Sequence, residues 1–287
     1  MSLFGFSNKR NTAKKRAGRS MKETGKTSYL INDDSPFALT EAFRSLKMTL
    51  CVSMAKKNDG LGQSFLCTSS YPDEGKTTVA ANTALMLAQS EVKVVLVDTD
   101  LRAGRISKFF KIPHTPGLSD YLSGQASLDD VLVQTDVNPN LYVICRGTHT
   151  ARPYELLADS VMRDLNEELK KRFSYVIYDS APFRLVSDAL AVAPVADGTF
   201  LVTRYKYSYQ NDIRSALDSL RFVKANVLGI VVNDYHPDRF AKKNSRDARS
   251  YSHAYYYDNE NKKRAEDTTA QASAEVSPEV PPEVSQK

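Results

Sequence analysis

The chain has 287 residues, 25% of them Asp, Glu, Lys or Arg, 41% hydrophobic, and a formal net charge of +5. That length holds one large α/β domain with tails. Its apolar runs all fall short of the ~18–20 residues that cross a bilayer, and no signal-peptide-like apolar stretch follows the N-terminal basic residues, so a soluble, cytosolic chain that does not anchor itself is expected. Cys51, Cys67 and Cys145 show neither metal-type spacing nor an even disulfide framework, and reduced, mostly buried thiols are expected.

Charge is uneven along the chain. Lys9, Arg10, Lys14, Lys15, Arg16, Arg19, Lys22 and Lys26 face a single early acid, Glu23, among Ser, Thr, Asn and Gly. Residues 1–34 therefore read as a disordered basic arm, either a solvated tail or a segment drawn to an anionic membrane surface. Nucleic acid is not an expected partner, because no interleaved aromatic residues accompany the arm.

A helix follows near 38–55, where Glu41, Arg44 and Lys47 share one face at a spacing of three and Glu41 can pair with Arg44. The strand near 64–68 leads into Ser70-Tyr71-Pro72-Asp73-Glu74-Gly75-Lys76-Thr77-Thr78, which matches G-x-x-x-x-G-K-[ST] except that Ser70 replaces the first glycine. A tight turn between a strand and a helix aims successive N–H groups at one anion, the lysine reaches the β/γ-phosphates, and the threonine hydroxyl serves magnesium. An ordinary polar turn capping the helix near 76–90 is the plain alternative.

The β-branched strand near 94–98 ends in Asp98 and, two residues on, Asp100, with Arg102 beyond; alternation puts both carboxylates on one face. Residues 105–139 are less regular, with short helical pieces near 118–122 and 128–132. Strands near 141–145, 174–179, 198–203 and 227–232 alternate with helices near 154–172 and 208–224, the pattern of a mostly parallel sheet flanked by helices. Ligands of such sheets sit beyond the carboxyl ends of the strands, which would bring Asp98, Asp100 and Asp179 around the loop's phosphates. Arg204 ends one strand, where an exposed strand-end arginine is the plain reading. Asn233 ends the last and either reads adenine's mixed donor and acceptor edge or only begins a turn.

Residues 35–237 are thus expected to form one P-loop NTPase-like domain, and 238–287 a flexible tail that turns rich in Glu, Pro, Ser and Ala from about 258. Fifteen tyrosines spread evenly would put fewer than one in a seven-residue window, yet 251–257 holds Tyr251, Tyr255, Tyr256 and Tyr257. Their flanks are polar, so the cluster has no core to join and can reach an active site.

The P-D-E-G-K-T, V-V-L-V-D-T-D-L-R and V-I-Y-D-S-A-P runs resemble the Walker A, A′ and B motifs of the bacterial tyrosine kinases that regulate capsule and exopolysaccharide synthesis, in the form whose membrane activator is a separate chain. The resemblance covers roughly 35–257. It implies an ATP- and Mg²⁺-dependent tyrosine kinase in which Ser70, Pro72, Asp73, Glu74, Gly75, Lys76, Thr77, Thr78, Arg204 and Asn233 bind nucleotide. Thr77, Asp179 and Asp100 would serve the metal; Lys76, Asp98, Asp100 and Arg102 the transfer, with Asp98 taking the tyrosine proton. It also implies ring assembly through Glu41, Arg44 and Lys47, which match E-x-x-R-x-x-R apart from Lys47, and phosphorylation in trans of the tyrosine cluster. Implied partners are a transmembrane activator of a polysaccharide export system, a tyrosine phosphatase and polysaccharide-synthesis enzymes, at the inner face of the cell membrane. Ser180-Ala181 stands where the family has T-P. A positioning ATPase shares the fold but uses a second lysine where Tyr71 stands; a catalytically weak, nucleotide-dependent assembly protein is the other rival.

Overall fold

A computed structural model of the chain describes residues 30–54 and 60–235. Residues 1–29 of the expected arm and Tyr251, Tyr255, Tyr256 and Tyr257 lie outside the described residues, whereas Leu30 and Ile31, expected in the arm, are buried in the core, with Ile31 N donating to Asn82 Oδ1 at 2.7 Å. In chain order the elements are α1 (Phe37–Met54), β1 (Gln63–Ser69), α2 (Lys76–Ala88), β2 (Val94–Asp98), α3 (Ile106–Phe110), α4 (Leu118–Leu122), α5 (Leu128–Val131), β3 (Leu132–Gln134), β4 (Leu141–Ile144), α6 (Pro153–Ala158), α7 (Ser160–Arg172), β5 (Tyr175–Asp179), α8 (Asp188–Val192), β6 (Gly198–Arg204), α9 (Gln210–Phe222) and β7 (Val227–Asn233). They build a seven-stranded sheet ordered β3-β4-β2-β5-β1-β6-β7. Every neighbouring pair is parallel except β3 with β4.

Both sheet faces are covered, and the strands' period of two sorts their side chains between two cores. Phe65 and Cys67 of β1, Val94 and Leu96 of β2 and Ile177 of β5 join α1, α2 and α3 on one face. Leu66, Val95, Val97, Val176 and Tyr178 pack with α4 to α9 on the other. Full burial of such a side chain stabilises the fold by about 1.5–3 kcal/mol. Tyr178 keeps its polar end satisfied: its hydroxyl donates to Asn166 Oδ1 at 3.0 Å.

Three details differ from the sequence expectation. The helix expected over 154–172 is two helices, because Asp159 turns extended at ψ 156° and caps α7, its carboxylate accepting from Val161 N at 3.1 Å. The short strand β3 adds an antiparallel edge. Helices α3 and α8 occupy stretches expected to be irregular or loop. No helix among the described residues is long and apolar enough to cross a membrane.

Register sets up the site. Asp179 at the end of β5 lies opposite Asp98 of β2 on one side and Cys67 of β1 on the other. The chain leaves β1 two residues after Cys67, so the 70–75 loop arches over that same end of the sheet.

Candidate nucleotide and phosphoryl-transfer site

Loop 70–75 is held by contacts that leave its shape little freedom. Gly75 adopts φ +91°, and a Cβ there would stand 2.0 Å from Asn233 Nδ2, so both backbone and space require glycine. Glu74 is buried; its carboxylate accepts from Tyr71 N at 2.7 Å and from the Ser208 hydroxyl. Its backbone carbonyl accepts from Asn233 Nδ2 at 3.0 Å. Arg204 Nη1 donates to Asp73 O at 3.4 Å, while its Nε pairs with Asp234 at 2.9 Å. The hydroxyl of Tyr207 donates to Pro72 O at 3.4 Å. Ser70, in the place of the motif's first glycine, is buried with its hydroxyl unpartnered.

Lys76 begins α2 and points into a cavity of about 500 Å³ lined by Pro72 to Thr78 (excepting Glu74), Asp100, Arg102, Arg105, Lys108 and the Ala181–Pro182 turn. Its ammonium lies 3.3 Å from Thr77 Oγ1 and 3.7 Å from Asp100 Oδ2. Burial pulls its pKa down, but Asp179, Asp100 and Asp98 outweigh that and raise it, so the cation is secure.

The three aspartates meet as the strand ends imply, in different environments. Asp100 lines the cavity, with its Oδ1 accepting from Ala103 N at 2.9 Å. Asp98 is enclosed by the 100–106 turn: its oxygens accept from Asp100 N at 3.3 Å and Ile106 N at 3.2 Å, and Gly104 passes so close that a Cβ would stand 2.3 Å from the carboxylate. Burial, then Asp179 and Asp100, push its pKa well above the usual carboxylate range. Asp179 is fully buried, and neither oxygen has a hydrogen-bond partner. Burial raises its pKa against the lowering effect of the nearby Lys76 cation.

Those two orphaned oxygens, buried beside Lys76 and Thr77, are the test for a metal. A hard divalent cation that keeps most of its waters and takes one or two protein oxygens plus phosphates suits this donor set. No cluster of three or more His, Cys, Asp or Glu forms a protein-only cage among the described residues.

Arg102 lies at the cavity but commits its guanidinium to buried Asp188, Nε at 2.7 Å and Nη2 at 3.2 Å. Glu41 and Arg44 pair within α1, and Lys47 donates to Ser90 Oγ at 3.0 Å. Sequence reading missed Ser208, Asp188, Arg105 and Lys108. Ser208 lies 134 residues from Glu74 and carries no local signal. Arg105 and Lys108 stand just past the aspartate pair, yet only the turn they flank tells which way they face.

Known proteins resemble this chain in sequence and fold. A family model described as an AAA domain (AAA_31) matches residues 74–225. The tyrosine-protein kinase CpsD of Streptococcus pneumoniae is 35% identical over 185 residues, 64% of this chain and 81% of that protein. The chain belongs to the bacterial tyrosine-protein kinase family. The tyrosine-protein kinase ptk of Acinetobacter johnsonii is 30% identical over 194 residues, 68% of this chain but 26% of that protein, so the chain spans about a quarter of that longer relative. The solved kinase domain of the Escherichia coli tyrosine kinase ETK superposes with TM-score 0.65 at 28% identity, covering 79% of this chain and 88% of that one. The Pyrococcus furiosus cell division ATPase MinD shares the fold more distantly, with TM-score 0.53 at 28% identity over 62% of this chain and 75% of that one. The fold is that of a P-loop NTPase, and a nucleotide is its expected ligand.

Proposed function

We propose that the chain is a Mg-ATP-dependent protein-tyrosine kinase that phosphorylates the tyrosines at 251–257 of another copy. The observation that carries this reading is the convergence of Lys76, Thr77 and Asp100 on one cavity, with the orphaned Asp179 buried beside Lys76 and Thr77, in a chain of this family. Lys76 and the loop amides hold the phosphates, and Thr77, Asp179 and Asp100 are the residues that would hold magnesium. The ion supplies charge neutralisation on the phosphate oxygens. In the transfer, the phenolic oxygen bonds to the γ-phosphorus as the bond to the ADP oxygen breaks, and the phenolic proton passes to a carboxylate. Asp100 lines the cavity, whereas Asp98 is enclosed by the 100–106 turn, and Asp98→Asn and Asp100→Asn kinetics decide between them. Asn233 serves this reading as a loop-positioning residue through Glu74; contact with adenine remains part of the proposal.

In the cell we infer regulation of capsule or exopolysaccharide synthesis, with a transmembrane activator, a ring of copies joined through Glu41, Arg44 and Lys47, an opposing tyrosine phosphatase, and polysaccharide-synthesis enzymes as further substrates. The basic arm would add attraction to the anionic inner face of the membrane. The deciding experiment incubates the chain with Mg-ATP and the cytoplasmic segment of such an activator and maps phosphate by mass spectrometry. Phosphotyrosine at 251–257 is expected. ATP hydrolysis with no phosphotyrosine would favour the positioning ATPase, although Tyr71 stands where that group uses its second lysine.

A further inference from the structure

Beyond the phosphate loop the cavity has two cations that no acidic side chain among the described residues pairs with. Lys76 answers to Asp100 and Arg102 to Asp188. Arg105 and Lys108 line the same cavity, are exposed, and among the described residues have no side-chain partner. Beside them the cavity has an apolar lip in which Leu185 is 62% exposed, Phe109 and Val186 are half-buried and Pro182 is buried. An aromatic ring fits the lip, and a carboxylate or phosphate next to that ring fits the two cations.

Resting on the kinase reading, we propose that Arg105 and Lys108 select the acceptor, favouring a tyrosine followed by an acidic residue or a phosphotyrosine. This chain contains such a segment outside the described residues: Tyr255-Tyr256-Tyr257-Asp258-Asn259-Glu260. Tyr257, next to Asp258, is then modified first. Each phosphate added supplies an anion for the tyrosine before it, so modification proceeds from Tyr257 toward Tyr255.

The test uses the full chain and a synthetic peptide of residues 249–262. Neutralising the peptide by Asp258→Asn with Glu260→Gln is expected to raise its KM about fivefold with wild-type enzyme. The enzyme variant Arg105→Ala with Lys108→Ala is expected to raise the KM for the original peptide similarly and to lose the discrimination between the two peptides, a ratio that a general loss of nucleotide binding does not change. Arg105→Lys with Lys108→Arg restores it. Anisotropy of the peptide phosphorylated at Tyr257 reads the same preference without turnover and should weaken with salt. Discrimination that survives in the double alanine variant overturns the proposal. Peptide binding that depends on both cations in a chain that transfers no phosphate would retire the kinase reading and leave the recognition site standing.

Discussion

The side-chain amide of Asn233, at the end of β7, donates to the carbonyl of Glu74 at 3.0 Å and ties the phosphate loop to the last strand of the sheet. Gly75 lies directly beneath it. Gly75→Ala should therefore abolish detectable nucleotide binding for two reasons, a clash with Asn233 and a backbone at φ +91°. Asn233→Ala alone should weaken fluorescent-nucleotide binding by roughly tenfold, since one neutral hydrogen bond to a buried carbonyl is lost. Combining the two relieves the clash but not the backbone, so titration of the double variant should show binding still far below that of Asn233→Ala.

Lys76→Met should lower phosphotransfer by about 10²-fold or more, because the ammonium is the loop's only side-chain charge aimed at the phosphates from within α2. Its neighbours Asp98, Asp100 and Asp179 lose a compensating cation, yet among the described residues the ammonium touches only the Thr77 hydroxyl and Asp100 and holds no core contact, and the variant should stay folded by circular dichroism. Asp179→Asn should be as damaging to turnover through the metal. Undiminished phosphotyrosine in either purified variant would remove this site from the reaction.

The parallel sheet and both ends of the site were legible because each carries a local signature: β-branched runs such as Val94–Val97, aspartates at strand ends, and a glycine-lysine-threonine turn. What joins them is not local. The strand order, which sets Asp179 between Cys67 and Asp98, depends on crossovers and leaves no mark at any one residue. Three-residue β3 is too short for period two to be read. Asp159 looked like one more polar helix position until its cap geometry broke the helix. Glu74 is expected among the nucleotide-binding loop residues, and nothing local tells that its buried carboxylate and its bond to Ser208 brace the loop from within.

Far from the cavity, Lys170 of α7 and Asp197 before β6 form a buried ion pair at 3.0 Å, and Asp197 also accepts from Ser64 N and Oγ at 3.0 and 3.1 Å. Lys170→Met strands a buried carboxylate and should cost about 3 kcal/mol in urea unfolding, toward the lower end for a broken buried pair because the Ser64 bonds persist. Adding Asp197→Asn removes the stranded charge and should recover part of that loss. Equal destabilisation in the single and double variants would mean that the cost lies in packing rather than charge.

The proposed reaction between copies makes its own demand on α1 and on the tyrosines at 251–257. Glu41 and Arg44 satisfy each other within the helix, and their side chains are 37% and 54% exposed, so they hold little of the fold and remain accessible to a neighbour. Replacing Tyr251, Tyr255, Tyr256 and Tyr257 by Phe leaves an enzyme with an active site and no acceptors; Lys76→Met leaves acceptors and no active site. Mixed with Mg-ATP and an activator segment, the pair should place phosphotyrosine on the Lys76→Met chain. Adding Glu41→Ala and Arg44→Ala to both partners should cut that transfer by about tenfold and shift light-scattering mass toward the monomer, with Mg-ATP binding unchanged because α1 contributes nothing to the phosphate cavity. Transfer that is concentration-independent, or phosphate mapped to residues within 35–235, would show that each chain acts on itself or that the acceptor lies elsewhere.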